Sequence, residues 1–257
     1  MELIKSAARR SKVSDVVYVT LNLALAALIL GLTVAFQPPI VAYLLVVLSK
    51  WRVFAVRPRF WWANLQTNMV DLFVGLSTVT LIWQASGTFI IQFLLAVLYA
   101  GWLLILKPRS NRNMMALQAG VSQFLSLTAV FSVAHYLDSS LVVLASALVG
   151  YVTARHVLSS YEEDDQTLLS AVWGFFIAEL GWLSYHWVVA YEITQTLLLP
   201  QVAILAGLFS FVVVRFYDAK YHEKNIAKAV RAPMLFSLSV LAILLLRELS
   251  VIFNYTS

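Results

Sequence analysis

Few ionisable residues fall inside the long apolar runs of this chain, and each is costly there. The clearest are Glu179, Arg247 and Glu248. Charges within membrane spans default to functional roles, with a partner to be named. Glu179 lies 14 residues beyond Asp165, at the inner end of its run, and Arg247 lies 14 residues beyond Pro233. At 1.5 Å per residue both sit roughly 21 Å above the inner surface. Equal depth allows an ion pair, so Glu179 and Arg247 are expected to point into the bundle and meet. Such a pair either pins two helices together or forms part of a proton- or anion-linked site.

A second group types for a metal or proton site near the outer surface. His186 follows Glu179 by seven residues on the same helix face, with Trp182 between them. His135 and Asp138 close another run, Glu192 lies in the next outer connection, and Glu248 completes the group. A divalent metal is the one cofactor these residues suggest, and their sequence spacing places no two histidines close together.

These residues need elements to hold them. Of 257 residues, 61% are hydrophobic and 12% charged, far from the balance of a soluble domain. Nine apolar stretches can be marked: 16–36, 39–56, 67–85, 88–106, 113–136, 140–158, 166–190, 196–216 and 232–253. Most are long enough to cross about 30 Å of hydrocarbon as helices. They are continuous rather than alternating, which excludes barrel strands. The fold class is therefore all-α, a polytopic transmembrane helix bundle of about nine spans with short loops. The second stretch decides the count. Its purely apolar part ends at Lys50, and eight or seven spans result if it does not cross.

The basic residues set the orientation. Lys5, Arg9, Arg10 and Lys12 precede the first span; Lys50, Arg52, Arg57 and Arg59 follow the second; Lys107, Arg109 and Arg112 follow the fourth. Arg155 ends the sixth, and Arg215, Lys220, Lys224, Lys228 and Arg231 lie between the last two. With alternating helices all fall on one side, which the positive-inside rule makes cytoplasmic. Of the 18 Lys and Arg residues only Arg247 departs from the pattern. The map reads N-in and C-out in the cell (plasma or inner) membrane, and the net charge of +5 reflects topology rather than a nucleic-acid partner.

The chain reads as one membrane-embedded domain, 1–257, with a cytoplasmic N-terminal segment (1–15), a cytoplasmic basic and aromatic interfacial loop (50–66) and a cytoplasmic helical extension (217–231). Lys50 and Arg52 are expected to snorkel to the inner surface. Trp51, Phe54, Phe60, Trp61 and Trp62 share their loop, which suits membrane lipids and anionic headgroups at the cytoplasmic face. Asn68 and Asp71 have capping-box spacing, so Asp71 is expected to cap the third span. Arg155 and His156 suit a helix C-terminus, and Glu162, Glu163, Asp164 and Asp165 suit the next N-terminus. Gln92, Gln118, Ser122, Gln123, Ser126 and Thr128 are polar positions that bond across helices or line a pathway. Pro200 and Pro233 are expected in the first turns of their spans.

Phe131-Ser-Val-Ala-His135 resembles the FxxxH element of CAAX-type intramembrane proteases. The resemblance stops there, because the paired-glutamate EExxxR motif does not precede it, and no family follows from it. Phosphate-binding loops, dinucleotide fingerprints, zincin helices and nucleophile elbows are absent from the sequence. Three functions fit. The leading one is a non-enzymatic membrane subunit or scaffold with a structural intramembrane pair, which would engage a membrane-protein partner or a second copy. The others are a carrier or binding protein for a small solute or lipid using Glu179, Arg247 and His186, and an intramembrane metal-dependent enzyme using His135, His186 and nearby carboxylates.

Overall fold

The computed structural model describes residues 12–55, 57–161, 163–187 and 189–256. The expected basic residues Lys5, Arg9 and Arg10, the acidic Glu162 and the side chain of Glu248 lie outside the described part. The chain divides into two compact units, Met1–Ala203 and Ile204–Ser257.

The first unit contains α1 (Lys12–Ala35), α2 (Ile40–Leu48), α3 (Trp61–Gln84), α4 (Phe89–Gly101), α5 (Arg112–Ser132), α6 (Ser139–Leu158) and α7 (Gln166–His186). A short hairpin follows, β1 (Ala190–Glu192) with β2 (Leu198–Pro200), paired antiparallel so that Ala190 faces Pro200. α8 (Gln201–Tyr221) crosses the unit boundary, and α9 (Ile226–Thr256) belongs to the second unit. Among the described residues, eight helices are long and apolar enough to cross a membrane, which is the architecture of a membrane helix bundle.

α3 and α5 are the central helices. About half of each span is buried, 56% and 50%, against 17% for α1. They are also among the least hydropathic, at 1.3 and 1.4 against 2.2 for α1 and 2.4 for the span that starts at Phe89. α7, also at 1.4 but only 28% buried, departs from this order; for α3 and α5 the pattern is what a bilayer imposes. Lipid is as apolar as any core, so polar side chains gain by turning inward to one another while purely apolar helices stay outside.

The second apolar stretch corrects one expectation. α2 has nine residues, about 14 Å of helix, too short to cross. Two 3₁₀ turns follow it, Trp51–Phe54 and Pro58–Phe60. Together they nevertheless run antiparallel down α3. The Tyr43 and Thr80 hydroxyls meet at 2.8 Å, a Cβ on Gly75 would stand 2.7 Å from Val46, Lys50 reaches Asp71, and the Asn64 amide donates to the Val53 carbonyl at 3.1 Å. From Thr80 to Asn64 this is 16 residues of α3, about 24 Å of helix. The stretch thus descends beside α3 as a broken segment, helical above and 3₁₀ below.

α6 and α7 pack most closely. A Cβ on Gly150 would lie 2.8 Å from Ile177, one on Gly174 2.9 Å from the Ala147 carbonyl, and one on Gly181 2.6 Å from the Ser146 hydroxyl. Small residues here let two backbones approach.

In the second unit, the Phe211 and Phe236 rings meet edge to face at 6.2 Å. The expected extension 217–231 is split. α8 ends at Tyr221, Glu223 takes a left-handed φ of 53°, and α9 begins at Ile226. Pro233 therefore sits inside α9, seven residues beyond its start, rather than in its first turn.

Candidate functional site

Asp71 is a buried charged group of the first unit that is ion-paired twice. It lies ten residues into α3, whose start at Trp61 leaves no open helix end near it. The expected capping role is therefore wrong. Residues 61–67 continue the helix below Asp71, so its neighbouring N–H groups are already within the helix. Its carboxylate instead collects three donors. Lys50 and Lys107 both reach Oδ2, Lys107 at 2.7 Å, and the Trp102 indole donates to Oδ1 at 2.9 Å. The side chains of Lys50 and Asp71 are each 9% exposed, and Lys107 is 36% exposed. Lys50 was expected to snorkel. It turns inward because a buried carboxylate offers it a partner that the surface does not.

A local distortion presents the other two donors. α4 runs on directly into a π turn, Trp102–Leu106, closed by the Lys107 N–H to the Trp102 carbonyl at 2.9 Å. In a regular α-helix, residues five apart point about 140° away from each other. The wider turn brings Trp102 and Lys107 to one carboxylate. Such turns recur at functional sites. Gln118 on α5 fixes this end. Its amide donates to the Leu106 and Arg109 carbonyls at 2.6 and 2.7 Å, and its oxygen faces His156 Nε2 at 2.9 Å. With the Gln118 amide hydrogens spent on carbonyls, His156 Nε2 is the donor. One turn above Asp71 on the same face is Gly75, where the Tyr99 hydroxyl lies 3.1 Å from an added Cβ. That hydroxyl is buried without a hydrogen-bond partner.

Away from the charges, polar side chains close on one another. The Gln123 oxygen accepts from Thr153 and from the Trp173 indole, each at 3.1 Å. The Ser77 and Ser126 hydroxyls meet at 3.1 Å, and Gln84 donates to the Ser132 carbonyl at 3.1 Å. Gln92 donates to Ile82 at 3.0 Å, and Ser122 reaches the Val70 carbonyl at 3.4 Å. Thr128 bonds back within its own helix to Phe124 at 2.7 Å.

The residues singled out from the sequence lie elsewhere. Glu179 is on the exposed face of α7, not turned into the first unit. Arg247 belongs to the second unit and is exposed there. His135 and Asp138 are exposed around the turn before α6, with the His135 ring 3.8 Å from Tyr136. His186 is exposed at the end of α7 against Trp182 and Tyr185, at 4.9 and 5.5 Å. Glu192 is exposed in β1. Among the described residues, no three His, Asp or Glu side chains come together in a way that could hold a metal ion.

No protein-family model matches the chain, and no curated protein or solved structure shows significant similarity to it.

Lys50, Asp71, Trp102 and Lys107 formed a set that sequence reasoning missed. A signal existed: one acid four residues inside the run 67–85, and two lysines close to the basic ends of the runs on either side of it.

Proposed function

We propose that this chain is a multi-pass protein of the cell membrane that acts as a non-enzymatic subunit or scaffold, with its N terminus cytoplasmic and its C terminus outside. The observation that carries the first part is the way interior polar groups are consumed. Asp71, Gln118, Gln123, Ser77 and Gln84 each bond to another helix or turn, as expected of groups that lock helices together. The orientation rests on the basic residues. The broken stretch beside α3 supports counting it as a ninth crossing, since it brings the chain from the level of Thr80 to that of Asn64. That crossing keeps Lys50, Arg57, Arg59, Lys107 and Arg109 on one side.

The chain contains no cysteine, so single cysteines report without background. Cysteines at Ser140 and Gln195 should react with an impermeant maleimide added to intact cells, and those at Ser110 and Ser159 only after lysis. The reverse pattern overturns the orientation. Cysteines at Ser77, Ser122 and Ser126 should stay unlabelled from both sides in the folded protein. Labelling there shows a water-filled path and replaces the scaffold with a carrier.

A further inference from the structure

We propose that the inner end of the first unit binds the phosphate headgroup of an anionic phospholipid, with Lys107 as its central cation. This deepens the membrane reading and rests on it only for the leaflet.

The reason is charge balance. Two ammoniums share one carboxylate, which leaves one formal positive charge where Lys50 and Asp71 are almost fully buried. Both carboxylate oxygens are already engaged, Oδ2 by the lysines and Oδ1 by Trp102. Among the described residues no second carboxylate pairs with either lysine. An ammonium without its counter-charge is costly at the edge of a low-dielectric interior. Lys107 is the member of the set that opens outward, with a side chain 36% exposed. Its remaining N–H groups can therefore meet an anion from outside the protein.

What surrounds it identifies that anion. Arg57, Arg59 and Arg109 are exposed at the same end of α3 and α4. Trp51 and Trp62, exposed by 63% and 70%, flank the basic loop. Indole rings partition to the headgroup layer, and basic residues there attract anionic lipid. A soluble anion would need the cations but not the exposed rings. A phospholipid uses both: its phosphodiester faces Lys107 and the arginines, and its glycerol region packs beside the indoles.

The test is lipid titration of the purified, detergent-solubilised full chain, read by thermal midpoint and native mass spectrometry. Phosphatidylglycerol should bind at least tenfold tighter than phosphatidylcholine, and the preference should weaken as salt rises. Equal binding of the two lipids overturns the proposal. Inorganic phosphate that competes at the phosphatidylglycerol concentration overturns the lipid assignment, because the site then takes a free anion. Lys107→Gln leaves Lys50 and Asp71 as a one-to-one pair and should remove most of the preference. A preference that survives Lys107→Gln and is lost in the double variant Arg57→Gln/Arg59→Gln overturns the role of Lys107. The wild-type comparison of the two lipids stands even where a variant fails to fold. None of these measurements depends on membrane orientation or on scaffold activity, so they fail separately from the cysteine mapping.

Discussion

Asp71 and Glu179 are both carboxylates well inside long apolar helices, and the protein treats them in opposite ways. Asp71 on α3 is buried under two lysines and an indole. Glu179 on α7 lies on an exposed face. The difference follows from what each helix does with its other side chains. α7 turns Gly174, Ile177, Ala178 and Gly181 toward its neighbours, a stripe at helical spacing buried throughout. Close packing on that stripe leaves Glu179, one residue past Ala178, on the outer side. α3 is central, so nearly every direction from it meets another helix. Burial there is unavoidable, and the charge is tolerated only because partners come from the π turn after α4 and from the broken stretch that begins with α2.

The comparison implies a large difference in stability. Asp71→Ala leaves two ammoniums and an indole without their acceptor. Removing one member of a buried ionic group costs about 3–5 kcal/mol. Glu179→Ala removes an exposed group and should change stability by no more than about 0.5 kcal/mol. Reversible unfolding of the two variants in mixed micelles measures both. Equal losses would erase the distinction.

Trp102→Phe separates the hydrogen bond from the ion pairs. It keeps the ring packing and deletes the donor to Oδ1, for a loss of about 1.5–3 kcal/mol as for hydrogen bonds to charged groups. The same unfolding assay applies, and a neutral result would assign the carboxylate wholly to its lysines.

Packing supplies the next test, on the helix that carries Glu179. A side chain on Gly181 meets Ser146 at 2.6 Å, so Gly181→Leu should cost about 1–3 kcal/mol by overpacking. Glu179→Leu, two residues away, should be neutral or stabilising, since leucine suits a lipid-facing position better than a carboxylate. Thermal midpoints that fall for both would mean Glu179 is held by a partner.

The all-α character and the membrane-length helices could be read from the sequence because long apolar runs report directly on the bilayer. The broken stretch that begins with α2 could not. Its apolar run resembles the others, and only the contacts of Tyr43, Val46, Lys50 and Val53 along α3 reveal how it descends. The site was legible in its residue types and not in its pairing. Asp71 looked like a cap because Trp61–Gln66 read as loop, whereas those residues extend α3 by nearly two turns. The π turn that aims Trp102 and Lys107 has no plain sequence signature. Glu179 was conspicuous for the opposite reason: it stands alone in a run whose burial pattern only the glycines of α6 and α7 explain.

The smallest expected effect addresses Glu179 and Arg247 together, since equal depth was the argument for pairing them. Both side chains are exposed, each in its own unit. A double-mutant cycle with Glu179→Gln and Arg247→Gln isolates whatever energy they share. Polar contacts between membrane helices average about 0.6 kcal/mol in such cycles, and two exposed groups should fall at or below that. A coupling above about 1 kcal/mol, with stability restored by the charge swap Glu179→Arg with Arg247→Glu, would establish the pair as structural. Coupling without restoration by the swap would mean that the positions of the acid and the base matter as well as their attraction, which a carrier site requires and a helix clamp does not.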